Sequence, residues 1–141
     1  MKKSLSTVFT LSIFSSVLFA APIATPSVEQ RVNNIEAKVI EWRHHLHQHP
    51  ELSNREFETA KYITKHLTSL GLTVQTGVAK TGVVAVLDSG NPGPVVALRA
   101  DMDGLPVLEQ NDLAWKSTQR GELEGNDVPV MHACGHDTHV A

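Results

Sequence analysis

The feature that most constrains this chain is a nine-residue stretch, residues 131–139, that holds its only cysteine, three histidines and an aspartate. Thiolates, imidazoles and carboxylates are the ligands of zinc and neighbouring divalent metals. Cys134 and His136 are two apart, so they could share one metal cluster only from an extended or looped backbone. Gly135 between them permits such a turn. The stretch predicts a metal-binding loop, and the alternative is a buried thiol beside solvated histidines.

The composition is that of one ordinary globular domain. Of 141 residues, 41% are hydrophobic and 19% are charged, and the net charge is -3. The basic residues are scattered along the chain, which gives no footprint for nucleic acid. We therefore expect a small molecule or a peptide as the partner.

The first 24 residues have the pattern of a secretory signal peptide. Lys2 and Lys3 precede an apolar run at residues 8–20, which ends in small residues suited to cleavage. This run is short for a membrane span, and an uncleaved anchor is the alternative. We expect export, and a mature domain at residues 25–141 that leaves the membrane after cleavage. In an exported protein a single cysteine forms no internal disulfide, so Cys134 is a stray thiol, an intermolecular partner or a ligand.

Two amphipathic helices are predicted at the start of the mature chain. Residues 28–49 repeat apolar side chains every three or four positions and stop before Pro50. Residues 53–56 have the spacing of a capping box, which predicts a second helix at residues 54–70 that ends at Gly71. Most of the histidines in the last turns of the first helix are interpreted as solvated side chains favoured by its dipole: His44, His45, His47 and His49.

The middle of the chain has the pattern of β structure. Residues 72–76 alternate in polarity, and residues 82–87 and 94–100 are apolar runs joined by a connection short enough for a hairpin. Unbroken apolar strands predict burial on both faces of a sheet covered by helices. A further short strand is expected at residues 114–118, and an exposed loop at 119–128. The predicted fold class is α/β, with a mixed sheet flanked by helices.

Asp101 and Asp103 follow the apolar run at residues 94–100. Two carboxylates two apart at the end of a buried strand project to one side, where open α/β sheets bind their ligands. The alternative is a solvated Asp-Gly turn that leaves the sheet. Together with the later Cys-x-His loop, the pair fits a metal site or the residues that support one.

The sequence allows more than one role for each of the remaining polar residues in the stretch 131–139. Asp137 could cap a helix that begins near Thr138, or it could hold a ligand histidine. The sequence leaves the roles of His132 and His139 open.

Four segments together resemble the M20 metallopeptidase family: residues 42–52, 81–87, 96–106 and 131–137. The branch that they resemble contains hippurate hydrolases, N-acyl-amino-acid deacylases and auxin-conjugate hydrolases. The resemblance implies a zinc-peptidase-like catalytic domain with two divalent metals, zinc or manganese. It also implies hydrolysis of N-acyl amino acids or small peptides, and an inserted domain used for homodimer contacts.

The resemblance also implies roles for individual residues. Cys134 and His136 match the family's metal ligands. Asp101 stands where other members have a ligand histidine, so only Asp103 is carried over, as the residue that orients a ligand. The other ligands and the general-base glutamate are expected beyond residue 141, so no catalytic residue is assigned here and the chain is interpreted as the N-terminal part of such a domain.

Two other functional hypotheses remain open. One is a thiol-dependent hydrolase with Cys134 as the nucleophile and a histidine as its base. The other is a truncated product without catalytic activity.

Overall fold

The computed structural model describes residues 25–141, so the predicted signal peptide at residues 1–24 lies outside the described part. The elements, in chain order, are α1 (Val28–Gln48), α2 (Phe57–Ser69), β1 (Thr73–Val78), β2 (Gly82–Val86), β3 (Arg120–Leu123), β4 (Asn126–Pro129) and α3 (His136–Val140). The fold class is α/β, as predicted. Within residues 25–141, no helix combines the length and apolarity needed to span a membrane.

Helix α1 begins with a capping box and is buried only near its end. Ser27 Oγ accepts a hydrogen bond from Gln30 N at 3.2 Å, and Gln30 Oε1 accepts one from Ser27 N at 2.9 Å. Val32 and Ile35 are 55% and 51% exposed, whereas Leu46 is 3% exposed. The predicted apolar face therefore packs at its C-terminal end, beside the candidate site.

Helix α2 starts later than predicted, and the capping box expected at residues 53–56 is wrong. Asn54 has a left-handed φ of 62° and lies outside the helix, and Glu56 precedes the first turn without capping it. The Glu56 carboxylate instead accepts a hydrogen bond from Thr81 Oγ1 at 2.6 Å, and both residues are buried. Glu56 therefore makes a hydrogen bond to a residue distant in sequence in place of the expected local cap.

The end of α2 agrees with the prediction at Gly71. This glycine has φ 81°, and its N–H donates to Thr68 O at 2.9 Å. Leu72 N donates to Leu67 O at 3.3 Å. This pair of bonds is the Schellman motif, which needs a residue that tolerates the left-handed region.

Strands β1 and β2 form an antiparallel hairpin in which Thr73 lies opposite Val86 and Val78 opposite Gly82. The predicted hairpin between residues 82–87 and 94–100 is therefore wrong, and residues 94–100 form no strand. Val95 and Leu98 in this run are 97% and 96% exposed. An apolar run is buried only where another layer covers it, and residues 25–141 place no layer there.

The predicted loop at residues 119–128 is also wrong, because it contains the antiparallel hairpin of β3 and β4. Its turn is Glu124 and Gly125, with φ of 52° and 79°. Positive φ at both central residues matches the twist of a two-residue hairpin. The strand expected at residues 114–118 does not form.

Two isolated β-bridges hold the segment after Asp103 in the centre of the fold. Leu52 pairs with Gly104 in parallel, and Leu105 pairs with Met131 in the antiparallel direction, whereas both sheets are two-stranded and antiparallel. Gly104 allows the close approach, since a Cβ there would lie 2.8 Å from Val130 Cγ1. The buried large apolar side chains of the described residues are three: Leu46, Leu52 and Val130.

Candidate metal centre

The bridge between Leu105 and Met131 brings the two candidate metal-binding segments together. Leu105 N donates to Met131 O at 2.8 Å, and Met131 N donates to Leu105 O at 3.0 Å. This pairing places Asp103 beside the loop that leads into α3.

His136 is oriented by Asp103. Its Nδ1 lies 2.9 Å from Asp103 Oδ1 and 3.0 Å from the Asp103 backbone carbonyl oxygen. A carbonyl and an ionised carboxylate only accept hydrogen bonds, so Nδ1 carries the proton and donates it. The lone pair is then on Nε2, which is the arrangement of a metal-binding histidine with a carboxylate behind it.

Three donor groups lie close together on this side of the loop. One ligand atom from each of Asp101, His136 and His139 lies within 4.8 Å of the others. Asp101 also accepts a hydrogen bond from Arg99 Nη2 at 2.6 Å. A carboxylate with two imidazoles suits zinc, manganese and similar divalent ions.

Cys134 is a free and exposed thiol outside that three-residue cluster. It is separated from His136 by Gly135, whose φ of 80° is left-handed. The turn predicted at Gly135 is therefore present, and the role of Cys134 as a ligand stays a prediction.

Asp137 does not cap a helix, because α3 begins at His136 with Gly135 as its N-cap. Its side chain is 1% exposed and faces α1. Asp137 Oδ2 accepts hydrogen bonds from Arg43 Nε at 3.2 Å and from His47 Nδ1 at 2.9 Å. The predicted cap is wrong, and the carboxylate ties the loop to α1 instead.

His47 and Glu109 extend this buried network, and the sequence did not single out either for such a role. His47 is 5% exposed, and its Nε2 lies 2.9 Å from Glu109 Oε1. The α1 histidines were predicted to be mostly solvated, and this prediction is wrong for His47. The available clue was the four-residue spacing of Arg43 and His47, which puts both on one face of a helix.

Glu109 is held as a carboxylate by three donors. Burial alone would raise its pKa, but hydrogen bonds from His47, the Ser117 backbone and the Asn111 side chain outweigh burial. The net result is a pKa below the ordinary value of a glutamate.

His132 is a buried polar side chain beside the loop. It is 5% exposed, and neither ring nitrogen has a hydrogen-bond partner among residues 25–141. Burial lowers its pKa, while the Asp137 carboxylate opposes that effect. A buried neutral imidazole without a partner is a spare electron-pair donor. The donor atoms that lie close together near it, from Asp101, His136 and His139, fit a divalent metal ion.

Comparisons with known proteins cover most of the described residues. No protein-family model matches the chain. The chain is 48% identical over 111 residues to thermostable carboxypeptidase 1 of Saccharolobus solfataricus, a match that covers 78% of this chain and 26% of that protein. It is 44% identical over 114 residues to an N-acyl-L-amino acid amidohydrolase of Geobacillus stearothermophilus, which covers 81% of this chain and 29% of that protein.

A solved structure gives a similar match. A dinuclear metal-binding peptidase of the M20 family from Bacillus subtilis is 38% identical, with a TM-score of 0.64 over 76% of this chain and 29% of that one. The chain thus spans 26% to 29% of the length of these relatives.

Proposed function

We propose, since this chain belongs to the M20 peptidase family, that the protein is a metal-dependent amidohydrolase that cleaves the amide bond of N-acyl amino acids or small peptides. Its similarity to a carboxypeptidase and to an N-acyl-L-amino acid amidohydrolase supports this class of reaction. The observation that carries the proposal is His136, whose Nδ1 donates to Asp103 and whose Nε2 keeps its lone pair.

The proposed cofactors are two divalent ions, zinc or manganese. Likeness to a dinuclear metal-binding peptidase supports divalent metals, and a thiolate favours zinc while carboxylates also suit manganese. Cys134 and His136 are the proposed ligands, with Asp103 behind His136. Asp101 and His139 lie near enough to His136 to add donor atoms.

A bound metal pair would polarise the scissile carbonyl and lower the pKa of a water molecule. The residues of this chain would orient the metal ligands. Asp103 accepts the proton of His136 Nδ1, which fixes the ring and raises the basicity of Nε2. The remaining ligands and the general-base glutamate stay predictions from the family resemblance, outside these 141 residues.

The cellular setting is part of the proposal. Residues 1–24 have the pattern of a signal peptide, so the protein is proposed to act after export, with its catalytic domain starting at residue 25. The proposed assembly is a homodimer formed through an inserted domain, which rests on the family resemblance alone.

Hydrolysis of N-acyl amino acids, followed as released amino acid, tests the proposal on the protein expressed from its natural reading frame. We expect chelation to abolish hydrolysis and added zinc or manganese to restore it. Cys134→Ser should abolish it as well, whereas Thr68→Ser, an exposed change on α2, should have no effect. Activity undiminished by both chelation and Cys134→Ser would contradict the proposal.

The thiol-dependent alternative predicts a different response to alkylation. A metal-bound thiolate is protected from iodoacetamide when metal is saturating, whereas a nucleophilic thiol is not. Inactivation at saturating metal would therefore assign Cys134 as a nucleophile and overturn its role as a ligand.

A further inference from the structure

We propose that His47 is a positioning residue, which acts through Asp137 to fix the orientation of His136. This inference rests on the proposed role of His136 as a metal ligand. Asp137 directly follows His136, and its carboxylate is bound by two α1 side chains, Arg43 and His47, at 3.2 and 2.9 Å. The orientation of α3 is thus tied to α1 through one buried side chain.

Helix α3 needs such a tie because it has only five residues. An isolated helix of this length has almost no stability of its own. Successive residues of a helix point about 100° apart. Asp137 therefore faces α1 while His136 faces Asp103, and the short helix is held from two sides.

The bond from His47 is specific because this ring lies between two carboxylates. Its Nδ1 lies 2.9 Å from Asp137 Oδ2, and its Nε2 lies 2.9 Å from Glu109 Oε1. Ionised carboxylates only accept, so the two bonds form together when both ring nitrogens carry protons. Arg43 Nε adds a further donor to Asp137 Oδ2.

Loss of the hydrogen bond between His47 and Asp137 should change the orientation of His136. A carboxylate that is 1% exposed would keep Arg43 alone among the two α1 donors. An unsatisfied buried charge favours any movement that exposes it, and the available movement is a rotation of α3. Such a rotation pulls His136 Nδ1 away from Asp103, so Nε2 is no longer aimed at the metal.

Two substitutions at His47 separate its two hydrogen bonds. The amide nitrogen of asparagine lies approximately where Nδ1 does, and that of glutamine approximately where Nε2 does. His47→Asn should therefore keep the donor to Asp137, and His47→Gln should keep only the donor to Glu109. Thr59→Val is the control for lost stability, since it removes a 2.9 Å bond to Glu51 from a buried α2 residue.

The decisive measurement is the 15N NMR spectrum of the His136 ring in the mature protein without metal, because it reports which nitrogen carries the proton. Wild type and His47→Asn should both show the proton on Nδ1. In His47→Gln that preference should be lost, and zinc affinity, measured by competition with a chromophoric chelator, should fall about 10- to 100-fold.

An unchanged His136 ring in His47→Gln would overturn the proposal. So would equal changes in all three variants that follow their loss of stability, since that outcome describes a structural role only. The ring spectrum needs no metal. If the wild-type chain fails to bind zinc, the proposed function is what fails, and the spectrum still decides the role of His47.

Discussion

His136 Nδ1 has two acceptors on one residue, the Asp103 carboxylate at 2.9 Å and the Asp103 carbonyl at 3.0 Å. Both hold the proton on Nδ1, but only the carboxylate carries a charge that makes Nε2 a stronger electron-pair donor. The side chain and the backbone of Asp103 thus have separable effects on metal binding.

Asp103→Ala should lower zinc affinity about tenfold, near the low end of the range for residues that support a ligand, because the backbone acceptor remains. Zinc competition titration measures this change. Asp127→Ala is the matched control, since it removes an exposed carboxylate that pairs with Arg120 in the β3–β4 hairpin. Equal affinities of Asp103→Ala and wild type would contradict the proposed role.

Glu109 gives the buried network a defined dependence on pH. Its folded pKa lies below the ordinary value of 4.5. The unfolded chain therefore binds the proton more readily, so the stabilisation is complete above that value and is lost as pH falls through the folded pKa. The stabilisation from Glu109 is therefore lost at acidic pH and not near neutral pH.

Glu109→Gln should accordingly be less stable than wild type at neutral pH, and the difference should shrink as the pH falls below about 4.5. Urea unfolding at a series of pH values measures both free energies. Glu36→Gln, an exposed change on α1, controls for the loss of one negative charge. A difference that grows in acid would contradict the role of Glu109.

At the scale of elements, the contact between residues 50–52 and Gly104 sets how closely the segment with Asp103 and Gly104 approaches α1 and α2. Gly104 N donates to Glu51 O, and a Cβ on Gly104 would lie 2.9 Å from Pro50 Cβ as well as 2.8 Å from Val130 Cγ1. Backbone and short side chains surround the position, so they cannot move away easily.

Gly104→Ala should cost about 1–3 kcal/mol of unfolding free energy, the usual cost of overpacking. Gly93→Ala is a sharp control, because a Cβ there meets no atom within 4 Å. Chemical denaturation of both variants measures the difference. Equal stability of the two would show that the Leu52 and Gly104 bridge tolerates a wider separation.

The elements with strong local rules were predictable from sequence, and those decided by distant contacts were not. The end of α1 before Pro50 and the stop of α2 at Gly71 follow from backbone restrictions of single residues. The start of α2 was missed because Glu56 bonds to Thr81, which is distant in sequence. The apolar run at residues 94–100 predicted burial, but burial also depends on what lies opposite.

The same division applies to the site. Asp103, Cys134 and His136 were singled out by ligand chemistry and the family resemblance, and the structure brings Asp103 against His136. His47 and Glu109 were not, because their pairing joins residues that are 62 positions apart. The roles of Asp103, Cys134 and His136 in metal binding stay predictions.

At the scale of the whole molecule, polar residues make up an unusually large share of the buried residues that the structure describes. Among residues 25–141, three large apolar side chains are buried, whereas eight polar or charged residues are buried, and these include His47, Glu109, His132 and Asp137. Stability therefore depends on satisfied hydrogen bonds and paired charges around the loop more than on a large apolar core. A ligand that binds only the folded chain would add stability by mass action, about 2.7 kcal/mol at a hundredfold excess over Kd.

Cobalt(II) titration of the purified chain, followed by absorption, tests most directly whether Cys134 and His136 form part of a metal site. We expect saturable binding with a sulfur-to-cobalt charge-transfer band. Cys134→Ser should remove the band, and His136→Gln should weaken the affinity. No saturable binding, or binding that neither substitution changes, would contradict the metal site.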